Sequence, residues 1–145
     1  MDGSDLERVV RGNHEIFMLT SDRIGALLAK HGLTYATASA LWAIDPAKPP
    51  ASMKAMAERL FCNAPNLTFL AGQLIARGLV ERTVDPADRR SRVLVLTEDG
   101  VRVRAEVMRH TLELTPFANL DSDQLATLAH LLDVALGGAS AEEPK

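Results

Sequence analysis

Three arginines, Arg89, Arg90 and Arg92, fall in or just behind a charged stretch, Asp85-Pro86-Ala87-Asp88-Arg89-Arg90-Ser91, that separates two apolar runs. Guanidinium groups at the tip of a hairpin can reach into a minor groove, where negative potential is concentrated. A second set, Asn63, Pro65, Asn66, Thr68, Phe69, Gln73 and Arg77, falls at the start or on the outer side of a helix. The inward stripe of that helix reads as Leu67, Leu70, Leu74 and Ile75. Asn and Gln amides match adenine edges, a threonine hydroxyl suits a phosphate or a base, and an arginine suits a phosphate. Taken singly, each of these reads better as an ordinary solvated side chain. Their concentration on one helix and the hairpin beside it is what points to a nucleic-acid duplex.

Other chemistry has less to stand on. His14, His31, His110 and His130 are too far apart for a local metal motif, and no metal or cofactor is expected. Cys62, the single cysteine, precludes a disulfide framework. It falls near a helix N-terminus, a setting that favours a thiolate, but reads better as a buried small hydrophobe. The carboxylates are scattered or accompanied by arginines. No Ser/His/Asp set, glycine-rich phosphate loop or pair of acids stands out, so an enzyme is not expected.

The elements that must position these residues follow from periodicity and caps. Apolar residues from Leu6 to Leu28 keep a helical rhythm that Gly32 ends. Thr34 caps a second helix that runs to Ile44, and the prolines of 46–50 stop it. Ser52 caps a short third helix with the stripe Met53, Met56, Ala57 and Leu60. Phe61-Cys62 makes a turn, and Asn63 caps a fourth helix running to about Arg77 with Pro65 in its first turn. Residues 79–84 and 92–96 read as strands, joined by an 85–91 loop too long for a two-residue turn. Thr97 caps a fifth helix, Pro116 follows its end, and Asp121 with Gln124 has capping-box spacing ahead of a sixth. That sixth helix carries the stripe Leu125, Leu128, Leu131, Leu132, Ala135 and Leu136, and the tail from Gly137 reads as frayed. The order is a helix-turn-helix followed by a hairpin, with helices on both sides. In such a unit the second helix of the pair can lie in a major groove.

Composition agrees with a single unit with one core. The 145 residues are 47% apolar and 24% charged but only 4% aromatic, which leans the core towards Leu, Ala and Val and the fold towards helix. A net charge of −3 argues against indiscriminate coating of nucleic acid. The average hides a gradient: residues 51–112 hold 10 Lys+Arg against 7 Asp+Glu, whereas residues 113–145 hold 1 against 6. No apolar run reaches the roughly 18–20 residues that span a bilayer, and the acidic start is unlike a signal peptide. A soluble cytoplasmic protein without a membrane partner is expected.

Four segments carry a resemblance. Leu33-Thr34, Leu74-x-x-x-Gly78-Leu79-Val80-Glu81-Arg82, Asp85-Pro86-x-Asp88-Arg89-Arg90 and Leu96-Thr97-Glu98-Asp99-Gly100 together closely resemble the MarR family of winged-helix transcription regulators. The stretch from Gly78 to Gly100 is the specific part, and the helices outside it match in order and length. The resemblance implies a mainly α winged helix-turn-helix with a two-stranded β wing, flanked by N- and C-terminal dimerisation helices. On this chain, residues 34–100 would be the DNA-binding module, and residues 5–31 and 101–137 the dimerisation helices of one unit spanning 1–145. It further implies a homodimer on double-stranded DNA, most often a repressor on a pseudo-palindromic operator, with a small-molecule or redox signal altering DNA affinity in many members. Relatives that sense oxidants through a cysteine in the first helix have no counterpart here.

Family recognition helices carry small polar residues at the positions of Pro65, Asn66 and Thr68, then a base where this chain has Phe69. Asn66 and Thr68 fit; Pro65 and Phe69 depart. Phe69 either touches a thymine methyl or packs on a neighbour, and more of the affinity must come from Arg77 and the wing. One wing arginine, Arg90 ahead of Arg89, would enter the minor groove while an aspartate holds another. An effector pocket, by the same resemblance, would lie among the first, second and fifth helices. Phe17, Thr20, Trp42 and Met108 would line it for a small aromatic or phenolic compound, or would simply fill the core. A rival from another class is a winged-helix ligand-binding or protein-interaction module without specific DNA binding, which Phe69 and the negative total favour.

Overall fold

The computed structural model describes residues Gly3–Gly138. Its elements are α1 (Gly3–Lys30), α2 (Tyr35–Ala43), α3 (Met53–Arg59), α4 (Ala64–Ala76), β1 (Val80–Asp85), β2 (Asp88–Leu96), α5 (Glu98–Leu114), a 3-10 turn (Pro116–Asn119) and α6 (Ser122–Ala135). Local chemistry sets most of these boundaries. The side chains of Thr34, Ser52, Asn63, Thr97 and Asp121 each accept the backbone N–H three residues on, and Gln124 returns the bond to Asp121. Gly32 and Gly78, at φ 67° and 71°, close α1 and α4 in the same way. In each case the N–H of the following leucine reaches back to a carbonyl in the last helical turn, Leu33 to Leu28 and Leu79 to Leu74.

The buried core draws on five helices and both strands, through Ile24 and Leu28, Leu41, Met56, Leu67 and Leu74, Val80 and Leu94, and Val103 and Val107. No aromatic is buried among the described residues, in keeping with a core made of aliphatic side chains. Full burial of one such side chain stabilises the fold by about 1.5–3 kcal/mol. Two arginines tie helix ends across the fold. Arg104 of α5 donates to the Trp42 carbonyl at the end of α2 from Nε at 3.2 Å and Nη2 at 2.9 Å. Arg23 of α1 donates to the Leu114 carbonyl at the end of α5, at 2.8 Å.

Two expectations need correction here. The inward stripe of α4 is Leu67, Ala71 and Leu74 with Leu70 partly buried, and Ile75 is exposed. At about 100° per residue, Ile75 lies some 80° round the helix from Leu67, at the edge of the buried face. The hairpin connection is also shorter than expected. Asp85 pairs with Asp88, and the Asp85 carboxylate accepts the Ala87 N–H at 2.9 Å, so Pro86 and Ala87 alone make the turn. The pairing then jumps from Asp85–Asp88 to Val84–Arg92, so Arg89, Arg90 and Ser91 are surplus on β2 and form a bulge. An isolated bridge from Ser52 to Val93 adds the start of α3 to the far edge of β2. The tail beyond Gly138, read as frayed, lies outside the described residues.

Where α1 meets α5, Glu106 faces His31 and Lys30. Burial alone would push the Glu106 carboxyl up, but His31, with Nε2 3.1 Å from Oε2, and Lys30, with Nζ 3.7 Å from Oε1, hold it below the ordinary carboxylate value. A carboxylate with a lower pKa folded than unfolded stabilises the fold above its unfolded value, and that contribution is lost as pH falls through the folded one. Glu106→Gln is therefore expected to flatten the acid limb of stability. Between about pH 5 and pH 3 the urea midpoint should fall further for the parent chain than for the variant. Parallel acid limbs would mean that the pair contributes nothing.

Candidate nucleic-acid interface

Helix α4 follows α3 through a turn in which Phe61 adopts φ 52°, unusual for a bulky side chain, and stands 96% exposed. Asn63 then caps α4, its Oδ1 accepting the Asn66 N–H at 2.9 Å, which leaves its amide N–H groups to face outward. Pro65, Asn66, Thr68, Phe69 and Gln73 are all exposed on the side of α4 opposite the buried stripe. Thr68 donates its hydroxyl to the Ala64 carbonyl at 3.0 Å, so its lone pairs face outward as acceptors. Phe69 is 65% exposed, which weighs against packing on a neighbour within the chain.

Arg77 is placed differently from its expected role. It is the C-cap of α4, at the end away from Asn63 and Asn66. Its guanidinium lies over the α1–α2 turn, where a Cβ on Gly32 would overlap it. That position braces α4 against α1 and takes the charge away from the polar outer face.

In the wing, Arg89, Arg90 and Arg92 are all exposed. The expected aspartate–arginine pair is not formed. Asp85 and Asp88 spend their carboxylates on the backbone N–H groups of Ala87 and Arg90, at 2.9 and 3.0 Å. Aspartate side chains commonly accept the N–H two residues on in tight turns, and both aspartates here do so. The arginine that is held is Arg92, whose Nη1 lies 3.4 Å from the carbonyls of Arg89 and Ser91. Arg89 and Arg90 project from the bulge without an ion pair among the described residues.

Between α3, α4 and the base of the wing runs a groove of about 510 Å³, which Thr68, Arg82, Arg92 and Lys54 line together with Met53 and Glu58. It joins the outer edge of α4 to the strands, so the helix and the wing form one continuous surface. Arg82 and Lys54 were missed by sequence reasoning. Strand register carries the signal for the first: Arg82 and Val84 share a face, and Val84 pairs with Arg92.

A MarR-family model matches residues 31–91, the stretch from the end of α1 through the wing bulge. The repressor CouR, solved on a 23-mer DNA duplex, is similar over 94% of this chain and 92% of its own, with 27% identity and a TM-score of 0.71. Over residues 31–91 the chain matches the MarR family. Members are transcription regulators, not enzymes. A cysteine-to-serine variant of MarR from E. coli, complexed with operator DNA, is similar at 25% identity and a TM-score of 0.66, over 91% of this chain and 94% of that one. The HTH-type transcriptional regulator SarZ of Staphylococcus haemolyticus (strain JCSC1435) is 31% identical over 77 residues, 53% of this chain and 52% of that protein. The chain thus spans about half the length of that curated relative in the match.

The chain also has a cavity of about 300 Å³ between α1, α2 and α5, lined by Thr20, Tyr35, Ser39, Trp42, Val107 and Thr111. Of the four residues expected there, Thr20 and Trp42 line it. Phe17 reaches it indirectly, through an edge-on contact with Tyr35 at 5.0 Å between ring centroids. Met108 does not line it, because α5 turns Val107 and Thr111 inward and carries Met108 round to one side. Cys62 is partly buried against the core, its N–H bonded to the Ala57 carbonyl. Among the described residues no three His, Cys, Asp or Glu side chains gather to hold a metal, and no helix is long and apolar enough to cross a membrane.

Proposed function

We propose that this chain acts in the cytoplasm as a homodimeric repressor of transcription that binds a pseudo-palindromic operator and that a small aromatic or phenolic compound releases. Residues 34–100 form the DNA-binding module in this reading, and residues 5–31 and 101–137 join the two subunits. The observation that carries the reading is the continuous surface formed by the polar outer face of α4, the shared groove with Thr68 and Arg92, and the unpaired wing arginines. The relatives solved on DNA supply its partner by analogy.

Dimerisation is supported by apolar stripes that the chain leaves uncovered. No residue of α6 is buried, and Leu125, Leu131, Leu132 and Leu136 are exposed along it, as are Leu6, Val9 and Val10 on α1. Apolar side chains exposed in a row along a helix commonly mark an interaction surface. Sedimentation at micromolar concentration is expected to show a dimer with no folded monomer, and a stable folded monomer would sink this part of the reading.

An electrophoretic shift with the DNA upstream of the gene, in excess competitor, tests the rest. Footprinting should show half-sites about 10 bp apart, one helical turn. The rival module without specific DNA binding is favoured by one feature, the exposed Phe61 and Phe69 beside α4 where a base would strengthen phosphate contact. Failure of every candidate fragment to compete better than random DNA would select the rival.

A further inference from the structure

Among the described residues, four helices end in the same pair of backbone hydrogen bonds. After α1 the N–H of Leu33 reaches the Leu28 carbonyl and that of Gly32 the Ala29 carbonyl. Leu79 to Leu74 and Gly78 to Ile75 repeat the pair after α4, and Gly138 to Asp133 and Gly137 to Val134 after α6. After α3 the pair is Cys62 to Ala57, at 3.0 Å, and Phe61 to Glu58, at 3.2 Å. Such an ending needs a left-handed residue just past the cap, a position that glycine fills without a Cβ clash. Gly32, Gly78 and Gly137 fill it at φ 67°, 71° and 71°, but after α3 it holds Phe61, at φ 52°. That conformation is unfavourable for a bulky side chain. Packing within the chain does not offset it, because the ring is almost completely exposed.

Phe61 stands two residues before Asn63, the cap of α4, at the end of the helix that meets base edges in a unit of this type. Phe69, also exposed, lies on the outer face of the same half of α4. Leu60 and Cys62, which flank Phe61, line a depression of about 350 Å³ together with Asn66 and Phe69. From Ala64 to Ala76 the helix has no charged side chain, so its share of recognition falls to amides, a hydroxyl and rings. We propose that Phe61 and Phe69 are specificity-determining residues that read thymine, each ring packing on a thymine 5-methyl group in the major groove. This rests on the DNA-binding reading above and deepens it. Thymine alone among the four bases shows a methyl group to that groove. Against another base a phenyl ring would strip water from polar atoms and return no hydrogen bond, which is costly. Neither ring neutralises a phosphate, so the pair acts on the choice of sequence and not on salt dependence.

The test takes the fragment that the shift assay selects and replaces single thymidines by deoxyuridine. This removes the methyl group and leaves every hydrogen-bonding group in place. For the parent chain, uracil at two positions of a half-site should each lower affinity about three- to five-fold, as expected for one buried methyl group, with the salt slope unchanged. Phe61→Gly should abolish the penalty at one of these positions and Phe69→Ala at the other. Glycine suits the left-handed position, so the urea midpoint of Phe61→Gly should equal or exceed the parent's at the same protein concentration. A lowered midpoint would make Phe61 a structural residue and overturn its assignment. Parent binding that is indifferent to uracil, or a penalty that both variants retain, overturns the proposal while the DNA-binding reading stands. So does an equal loss on thymine and uracil operators, which would assign the rings to the sugar–phosphate backbone. If no fragment competes better than random DNA, both readings fall together and the exposed rings are left to a protein partner.

Discussion

Arg90→Ala is expected to weaken operator binding by about 1–3 kcal/mol for each wing, and a dimer has two wings. The combined loss is then some 30-fold to well over a thousand-fold at physiological salt. The expectation comes from how the bulge presents this residue. Arg89 and Arg90 lie on three surplus residues of β2, and the Asp88 carboxylate is engaged with the Arg90 N–H rather than a guanidinium. The Arg90 side chain therefore has no internal ion pair to give up on meeting a duplex. If it enters a minor groove it should also lower the salt dependence, by about one unit of slope for each phosphate contact removed. Arg92→Ala is the instructive comparison. Its guanidinium lies against the Arg89 and Ser91 carbonyls, so removing it should loosen the bulge that aims the other two. Titrations of labelled operator across a salt series measure both quantities. An Arg90→Ala protein with unchanged affinity and slope would show that the wing is no anchor, and would leave α4 to account for binding alone.

How much of this was legible in the sequence depended on the range of the interaction. Caps were readable because Thr34, Ser52, Asn63, Thr97 and Asp121 act on N–H groups three residues away, so their evidence is local. The inside of α4 was readable apart from one wrong inclusion, Ile75, and one omission, Ala71. The error at Ile75 arose because apolar type stood in for position, and Ala71 is small enough to be overlooked as a core residue. The turn of the hairpin was misjudged because its length is set by an aspartate acting on backbone, and by a bulge that periodicity does not register. Long-range placements were the least accessible. Nothing near Arg77 in the sequence indicates that its guanidinium lies over Gly32, 45 residues earlier by number. Nor does α5 alone reveal that Thr111, one turn past Met108, is the residue turned to the cavity. Sites assembled from three helices depend on the relative rotation of those helices, which the spacing of residues within one helix leaves open.

Gly100→Ala is expected to destabilise the fold by about 2–4 kcal/mol, although alanine is the better helix former. The sign is decided by contact. Gly100 is buried in the first turn of α5, and a Cβ there would overlap the backbone carbonyl oxygen of Leu79, which has no rotamer to move aside. The same junction carries three hydrogen bonds. The Thr97 N–H donates to the Leu79 carbonyl at 3.0 Å, the Thr97 hydroxyl donates to the Gly78 carbonyl at 2.6 Å, and the hydroxyl accepts the Gly100 N–H at 2.9 Å. Relieving the overlap means moving α5 with its cap away from the α4–β1 turn, which stretches the two bonds from Thr97 to Leu79 and Gly78, each worth about 1 kcal/mol net. Helix propensity returns about 1 kcal/mol, too little to reverse the balance. Gly72→Ala is the internal control, because Gly72 is also helical but a Cβ there meets nothing within 4 Å. That change should raise stability by about 0.5–1 kcal/mol. Urea unfolding followed by circular dichroism gives both values on one scale, at protein concentrations held equal because the proposed self-association would contribute to the midpoint. If Gly100→Ala matches Gly72→Ala, α5 is free to shift at its start, and the wing and the helix behind it are not the single clamped unit that these contacts describe.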